Sequence, residues 1–263
     1  MIVALIDNGS LEPAAHRTLR AVAAALSKRT GLAVEAVSWK HSDRIALPAL
    51  DGAPAWTLAP FIRAHVARGT RDFLFVPFFI SAQGAVGSAL RTDLERLSAQ
   101  LGGLSVVFTD GLAARGMLAP IVAARVRATI AAKNLSRPSV ILVDHGGPSA
   151  ASAALRDLIA SDVHSLLGPE IASLTAASME GAHGPLFADT LAALARDGRA
   201  AVAAPLFLSP GRHAGPDGDL ARIARASLPA IHFTDLVGTH PLAVDALAAA
   251  LHESLASTAP SSA

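Results

Sequence analysis

Short apolar runs alternate with longer amphipathic segments along almost the whole chain. In one segment the apolar residues at positions 15, 19, 22 and 26 form a single stripe, and positions 155, 158, 159 and 166 form a similar one, as in helices packed on a core. Because the short runs are almost continuously apolar, they predict parallel strands covered by helices on both faces. The predicted strands are Ile2–Ile6, Val34–Trp39, Phe73–Phe79, Ser105–Thr109, Val140–Asp144, Ala172–Met179, Ala201–Leu208 and Ile231–Leu236.

The two halves of the chain repeat the same order of motifs. The runs Ile2–Gly9 and Val140–Gly146 both end in Asp, one variable residue and Gly, and Phe75–Ser81 matches Ala203–Ser209 further along. A repeated order of this kind indicates duplication. We therefore predict an α/β protein with two similar lobes, each a parallel sheet flanked by helices, over residues 1–133 and 138–256.

The composition is that of a compact protein and narrows what it can bind. Hydrophobic residues make up 52% of the chain and charged residues 16%. The net charge of +1 argues against a nucleic-acid partner, since such binding depends on clustered Lys and Arg. Without a long apolar stretch or a signal-like N-terminus, we expect a cytoplasmic protein with no membrane partner. The sequence has no cysteine, so any metal must be held by His, Asp, Glu or backbone oxygen.

Three predicted strand ends in the second half carry side chains that suit a divalent metal. His145 follows the first strand of this half, Glu180 the second and His213 the third. Parallel α/β sheets bind ligands at the carboxyl ends of their strands, so the three should share one rim. Two imidazoles and a carboxylate suit a metal ion that must arrive, react and leave. We expect His145, His213 and Glu180 to be both metal ligands and catalytic residues.

The first half lacks all three of these side chains at the matching positions. By the shared motifs, Asn8 stands opposite His145 and Lys40 opposite Glu180, and counting from the shared serines puts Ala85 opposite His213. A carboxamide, unlike an imidazole, neither binds a metal well nor carries a proton near neutral pH. The joint loss predicts that the second lobe is catalytic and the first supports it.

The chain resembles the class II tetrapyrrole chelatases, especially the sirohydrochlorin cobalt- and ferrochelatases of the CbiX and SirB type. The motifs that carry the resemblance are His145–Gly147 and, more specifically, Pro205–Gly215. The resemblance spans nearly the whole chain, because long members of the family are two fused α/β halves. It implies that the two histidines act on the metal and the pyrrole protons, with the glutamate assisting. The chain departs from the family in reading Gly-Gly-Pro after the first histidine instead of Gly-Ser-Arg, and in lacking histidines at the matching positions of its first half.

The resemblance implies a lyase that inserts Co²⁺ or Fe²⁺ into sirohydrochlorin, in cobalamin or siroheme biosynthesis. The divalent metal is then a substrate, and no organic cofactor is expected. Nickel insertion into the same ring is a near alternative, and a carrier of metal or tetrapyrrole that does not catalyse insertion is another. A two-lobed solute-binding protein is a third. Because the fused halves form a self-sufficient unit, we expect a monomer.

A tetrapyrrole with many carboxylates needs basic groups around the site. Arg212 stands beside His213 and can bind a carboxylate through two hydrogen bonds. Glycines next to the candidate ligands allow a large ligand to approach the backbone. Basic residues of the first lobe could contribute, with solvated surface charge as the alternative. The predicted substrate-binding residues are Arg212, Gly146, Gly147, Gly211, Lys40, Arg44 and Arg91.

The chain has ten histidines, and most need no role in the site. His16, His164 and His252 fall on predicted helices and are expected to face solvent. His183 and His240 follow strand ends and are further candidates for the rim.

Overall fold

The computed structural model describes residues 1–80, 85–227 and 231–258, with the side chains of 85–87 and 258 left out. The chain divides into two compact units. The first is Met1–Arg115 together with the segment that begins at Pro241, and the second is Gly116–His240. Among the described residues, no helix is long and apolar enough to cross a membrane.

The first unit holds a parallel sheet of five strands in the order β3-β2-β1-β4-β5. Its strands are β1 (Ile2–Asp7), β2 (Val34–Ser38), β3 (Trp56–Thr57), β4 (Asp72–Pro77) and β5 (Ser105–Phe108). Its first three helices are α1 (Pro13–Thr30), α2 (Leu58–Val66) and α3 (Ala85–Gln100), with 3-10 turns at Ser42–Arg44 and Leu47–Leu50. Aromatic and aliphatic side chains from its helices and its sheet form its core, including Phe61, Phe73 and Phe75.

The second unit holds a parallel sheet of four strands in the order β7-β6-β8-β9. Its strands are β6 (Ser139–Gly146), β7 (Ser173–Glu180), β8 (Ala201–Pro205) and β9 (His232–Phe233). Its helices are α4 (Leu118–Lys133), α5 (Ala150–Leu167), α6 (Phe187–Asp197) and α7 (Asp219–Ser227), with a 3-10 turn at Gly168–Glu170. The last helix, α8 (Pro241–Thr258), belongs to the first unit and packs on α1.

The predicted α/β class and the parallel sheets flanked by helices are confirmed. Each predicted strand has a counterpart, and the two-residue β3 was not predicted. The strand predicted over Ala201–Leu208 ends at Pro205, although Leu206 and Leu208 remain buried. The apolar pattern therefore reported burial correctly but extended the strand into the loop that follows it.

The compact units differ from the predicted division at 133–138 in the placement of two helices. Helix α4 follows the first sheet in sequence but packs on α5 and β8 of the second unit. Helix α8 follows the second sheet but is tied to the first unit, where Arg29 lies 2.9 Å from Asp245 and Arg115 lies 2.8 Å from Glu253. The predicted division separates the sheets, whereas the compact units also depend on where each connecting helix packs.

Two predictions about helix faces were wrong. His16 is buried, with its Nδ1 3.5 Å from Ser38 Oγ, because the buried face of α1 includes this position. On α5 the predicted stripe leaves Leu158 and Leu166 exposed, while Arg156 is buried. In each helix a buried polar side chain, His16 or Arg156, contacts a serine of the neighbouring sheet, Ser38 or Ser178 respectively. The apolar pattern alone assigns both side chains to solvent.

Candidate functional site

The candidate site lies where the strand order of the second sheet reverses. Strand β6 is the first strand of this unit and is flanked by β7 and β8, so the chain leaves it toward one neighbour and returns on the other. Such a reversal places a crevice at the carboxyl ends of the strands. His145 lies at the end of β6, Glu180 ends β7, and His213 lies in the loop after β8. The three predicted residues thus follow three adjacent strands.

The same backbone contact occurs within each unit at the carboxyl ends of its strands, and it identifies equivalent residues. A β-carbon on Gly146 would lie 1.8 Å from the carbonyl oxygen of Glu180, and a β-carbon on Gly9 would lie 1.7 Å from that of Lys40. Both glycines have positive φ, 82° and 87° respectively. Lys40 is therefore the structural counterpart of Glu180, as the sequence repeat predicted.

The imidazoles of His145 and His213 meet edge to face. Their ring centroids are 4.6 Å apart, with an interplanar angle of 72°. His145 Nδ1 is 3.2 Å from the carbonyl oxygen of Gly146, and His213 Nδ1 is 2.6 Å from Asp219 Oδ2. Because the acceptors engage Nδ1 in both rings, Nε2 is the nitrogen left for a metal or a proton.

Glu180 contacts this histidine pair from one side. Its Oε1 lies 3.7 Å from His145 Nδ1, and 66% of its side chain is exposed. This contact is with the nitrogen that also faces a backbone carbonyl, so Glu180 would have to turn to share a metal bound at Nε2. Among the described residues, no group of three or more His, Asp or Glu side chains is already arranged to hold a metal ion.

The histidine pair and Glu180 line an open pocket of about 580 Å³. Arg212 and Arg222 line it as well, so two guanidinium groups face a space that also contains two imidazoles. The Arg212 side chain is 78% exposed and its Nε is 3.8 Å from Asp219 Oδ2. An anionic ligand in this pocket would meet basic groups without displacing a buried ion pair.

Asp219, which was not predicted as a site residue, contacts both His213 and Arg222. The hydrogen bond from His213 and the positive charge of Arg222 hold the pKa of this carboxyl below its usual range. Asp219 lies six residues beyond His213 and is the first residue of α7. A glycine-rich loop ending in an acidic residue at a helix start was the available signal.

The matching rim of the first unit is occupied by an internal ion pair. Lys40 Nζ lies 3.3 Å from Asp93 Oδ2 and 3.8 Å from the ring centre of Trp39. Arg91 stacks on Phe108 at 4.8 Å. Arg44 lies exposed in a 3-10 turn. The substrate-binding role of these three basic residues stays a prediction. The side chain of Ala85 and all of Ser81 lie outside the described residues.

The other histidine candidates do not line this pocket. His183 Nε2 lies 3.2 Å from the carbonyl oxygen of Pro148, so the ring joins two loops of the rim. Burial, and then the nearby charge of Arg125, lower the pKa of His240. The structure therefore supports a loop-bracing position for His183 in place of a ligand position.

Gly146, Gly147 and Gly211 were predicted to admit a large ligand. Gly147 has a φ of 137° and open space where a β-carbon would stand. Gly146 instead packs against the backbone of Glu180 on the neighbouring strand, so the space beside it is already filled. Gly211 receives a hydrogen bond on its carbonyl oxygen from Gly215 at 2.9 Å, within the loop that carries His213. Gly147 therefore fits the predicted role, and Gly146 does not.

Comparison with known proteins gives a family-model match over the second part of the chain and a shared fold over nearly all of it. The family model CbiX matches residues 139–254, a stretch that includes His145, Glu180 and His213. No curated protein matches the chain.

Several solved structures share the fold over nearly their full length. SirB from Bacillus subtilis with Fe³⁺ has a TM-score of 0.69 at 15% identity, covering 96% of this chain and 95% of that one. The sirohydrochlorin chelatase SirB from Bacillus subtilis subspecies spizizenii, in complex with cobalt, has a TM-score of 0.68 at 14% identity, covering 98% and 97%. CbiX, described as the terminal enzyme for biosynthesis of siroheme in denitrifying bacteria, has a TM-score of 0.67 at 19% identity, covering 96% and 97%. Residues 139–254 match the CbiX family model, and this match together with the shared fold supports the predicted resemblance to the class II tetrapyrrole chelatases.

Proposed function

We propose that this protein inserts a divalent metal, Co²⁺ or Fe²⁺, into sirohydrochlorin, in cobalamin or siroheme biosynthesis. The observation that carries the proposal is the His145–His213 pair, in which both rings use Nδ1 for the protein and keep Nε2 for a ligand. The pair lies in the part of the chain that matches the CbiX family. Solved structures of the same fold contain Fe³⁺ or cobalt.

The chemistry requires two pyrrole N–H protons to leave the macrocycle for each divalent ion that enters. A neutral imidazole can bind a metal or accept a proton through the same nitrogen, so the His145–His213 pair can serve both needs in turn. The ring centroids are 4.6 Å apart, and both imidazoles line the same pocket. Glu180 is exposed and free to turn, and it supplies a carboxylate as a further ligand or proton acceptor.

The basic groups of the pocket suit the periphery of the substrate. Arg212 is exposed, and Arg222 is 62% exposed while it also contacts Asp219. Both guanidinium groups can bind carboxylates through paired hydrogen bonds. A carboxylate-rich macrocycle would therefore be oriented from its edge while the histidine pair acts at its centre.

The test is to incubate the purified protein with sirohydrochlorin and Co²⁺, Fe²⁺ or Ni²⁺, and to follow the absorbance spectrum of the macrocycle. We expect many equivalents of metallated product per protein, at a rate above that of the metal and macrocycle alone. Faster product formation with Ni²⁺ than with the other two ions would identify a nickel chelatase. A spectral change that stops at one equivalent would identify a carrier and contradict the proposal.

A further inference from the structure

The carboxylate of Asp219 determines which nitrogen of His213 carries the proton. Oδ2 lies 2.6 Å from His213 Nδ1, a short distance typical of a hydrogen bond to a charged group. An ionised carboxylate can only accept, so Nδ1 must be the donor. The lone pair of the neutral imidazole is then on Nε2.

The loop between His213 and Asp219 closes on itself and fixes this contact. The backbone N–H of Asp219 donates to the carbonyl oxygen of Arg212 at 3.2 Å, and the N–H of Leu220 donates to that of His213 at 3.1 Å. A β-carbon on Gly218 would lie 2.6 Å from the carbonyl oxygen of His213. The start of α7 is thus held against the histidine by backbone contacts as well as by the side chain.

The second oxygen of Asp219 is also assigned. Arg222, one turn along α7, donates to Oδ1, while Oδ2 receives the hydrogen bond from His213. The carboxylate plane is therefore held from two directions. Rotation of Asp219 away from the histidine would break the contact with Arg222 as well.

The first unit has an aspartate in the equivalent position, Asp93 on α3, but it contacts Trp39 and Lys40 in place of a histidine. Asp93 Oδ2 accepts a hydrogen bond from Trp39 Nε1 at 3.1 Å and lies 3.3 Å from Lys40 Nζ. The other oxygen of Asp93, Oδ1, lies 3.4 Å from Arg96. Both helices share a short motif, Asp93-Leu94-Glu95-Arg96-Leu97 in the first unit and Asp219-Leu220-Ala221-Arg222-Ile223 in the second. In each unit one oxygen binds the arginine three residues on, and the other binds the group at the rim. The repeat shows that the aspartate's contact survives a complete change of rim chemistry.

We propose that Asp219 is a positioning residue, which holds His213 in the Nδ1–H tautomer so that Nε2 is presented to the metal. The inference rests on the proposed function for the identity of the ligand, but the tautomer is a property of the protein without metal. A carboxylate behind a ligating histidine fixes the ring and raises its basicity, and its loss weakens metal binding or activity by roughly 10- to 100-fold.

The test compares Asp219→Asn with Asp217→Asn. Asn has the same shape but offers an N–H₂ group that can face Nδ1 and favour the other tautomer. Asp217 is on the same loop, is 93% exposed and pairs with Arg225 at 3.4 Å, so it is a matched control. Two-bond ¹H–¹⁵N NMR on metal-free protein, at a pH well above the ordinary histidine pKa of about 6.5, reports the tautomer of His213 directly.

We expect the Nδ1–H tautomer in the wild type and in Asp217→Asn, and its loss in Asp219→Asn. Titration with Co²⁺ should show binding weakened by roughly 10- to 100-fold for Asp219→Asn and less than about twofold for the control. A wild-type His213 protonated on Nε2, or wild-type Co²⁺ affinity in folded Asp219→Asn, would overturn the inference. A wild type that shows the expected tautomer yet turns over no sirohydrochlorin would contradict the proposed function and leave Asp219 in its positioning role.

Discussion

Arg156 is held against Asp144, the residue before His145, in the interior of the second unit. Its guanidinium lies 3.7 Å from Asp144 Oδ1, and only 2% of its side chain is exposed. Arg156 also donates to Ser178 Oγ and to the carbonyl oxygen of His183 at 3.1 Å, and Ser178 Oγ donates to Asp144 at 2.6 Å. One buried cation therefore ties together the ends of β6 and β7 beneath the candidate site.

Replacing Arg156 by Met should strongly destabilise the protein. Asp144, with 16% of its side chain exposed, would lose its cationic partner, and breaking a buried ion pair costs about 3–5 kcal/mol. Urea unfolding measures this change in the free energy of unfolding. The exposed Arg196 on α6 gives a matched control, since Arg196→Met should change stability by about 0.5 kcal/mol or less. Equal effects of the two substitutions would contradict the role given to Arg156.

The sequence predicted the positions of candidate site residues that lie directly at the end of a strand. His145 and Glu180 terminate adjacent parallel strands, so their proximity follows from the sheet order alone. His213 was predicted from the same rule together with its motif. The contact between His213 and His145 depends on the conformation of the loop after β8, which the pattern of apolar residues does not predict.

Residues whose position depends on a partner elsewhere in the fold were not predicted. Arg156 reads as a solvent-facing residue of an amphipathic helix, and its burial is explained by its partners at the ends of β6 and β7, Asp144 and Ser178. His16 is buried beside Ser38 on β2 for a similar reason. Asp219 depends on a closed loop. In each case a polar contact across elements decides the outcome, and hydrophobic periodicity contains no information about it.

Removing either imidazole should abolish metal insertion and leave the fold intact. His145→Ala and His213→Ala each delete a nitrogen that we propose as a ligand, so Co²⁺ binding should fall by more than the roughly 10- to 100-fold expected for a supporting residue. Both side chains are partly exposed, at 44% and 32%, so thermal unfolding should change little. His164→Ala, on the exposed face of α5, should retain wild-type binding. Insertion near the wild-type rate in both site variants would contradict the assignment.

Gly146→Ala should disrupt the rim through the backbone. The added β-carbon would stand 1.8 Å from the carbonyl oxygen of Glu180, so the ends of β6 and β7 would have to separate. We expect loss of Co²⁺ binding together with a loss of stability above the roughly 1 kcal/mol typical of a strained positive φ.

Gly198→Ala separates the effect of crowding from that of φ. Gly198 also has a positive φ, 64°, but a β-carbon there would meet open space. This variant should lose only the smaller amount of stability and bind Co²⁺ like the wild type. Equal losses of binding in the two variants would show that the contact with Glu180 is not what matters.

Two buried groups of the first unit should oppose each other in their effect on pH stability. Burial raises the pKa of Asp7 from 3.8 to about 6, against the opposing hydrogen bond from Ser38. Burial, and then the charge of Arg20, lower the pKa of His16 from 6.5 to about 4. Within the described part of the chain, Asp7 Oδ1 and His16 Nε2 have no hydrogen-bond partner, which agrees with both directions.

Between pH 4 and 6 the native protein holds a proton on Asp7 that the unfolded chain lacks, and the unfolded chain holds one on His16 that the native protein lacks. The first difference makes stability fall as pH rises, the second makes it rise, and in the wild type the two cancel. In Asp7→Asn only the His16 contribution of this pair remains, so the free energy of unfolding should rise more steeply than in the wild type from pH 4 to 6.5, by at most about 1.4 kcal/mol per pH unit. In His16→Leu it should fall relative to the wild type from pH 4 to 6, because only the Asp7 contribution of the pair remains.

Urea unfolding at a series of pH values checks both slopes, with the double variant expected to parallel the wild type. Changes of slope that have the same sign in the two single variants, relative to the wild type, would mean that these residues do not titrate as their burial requires.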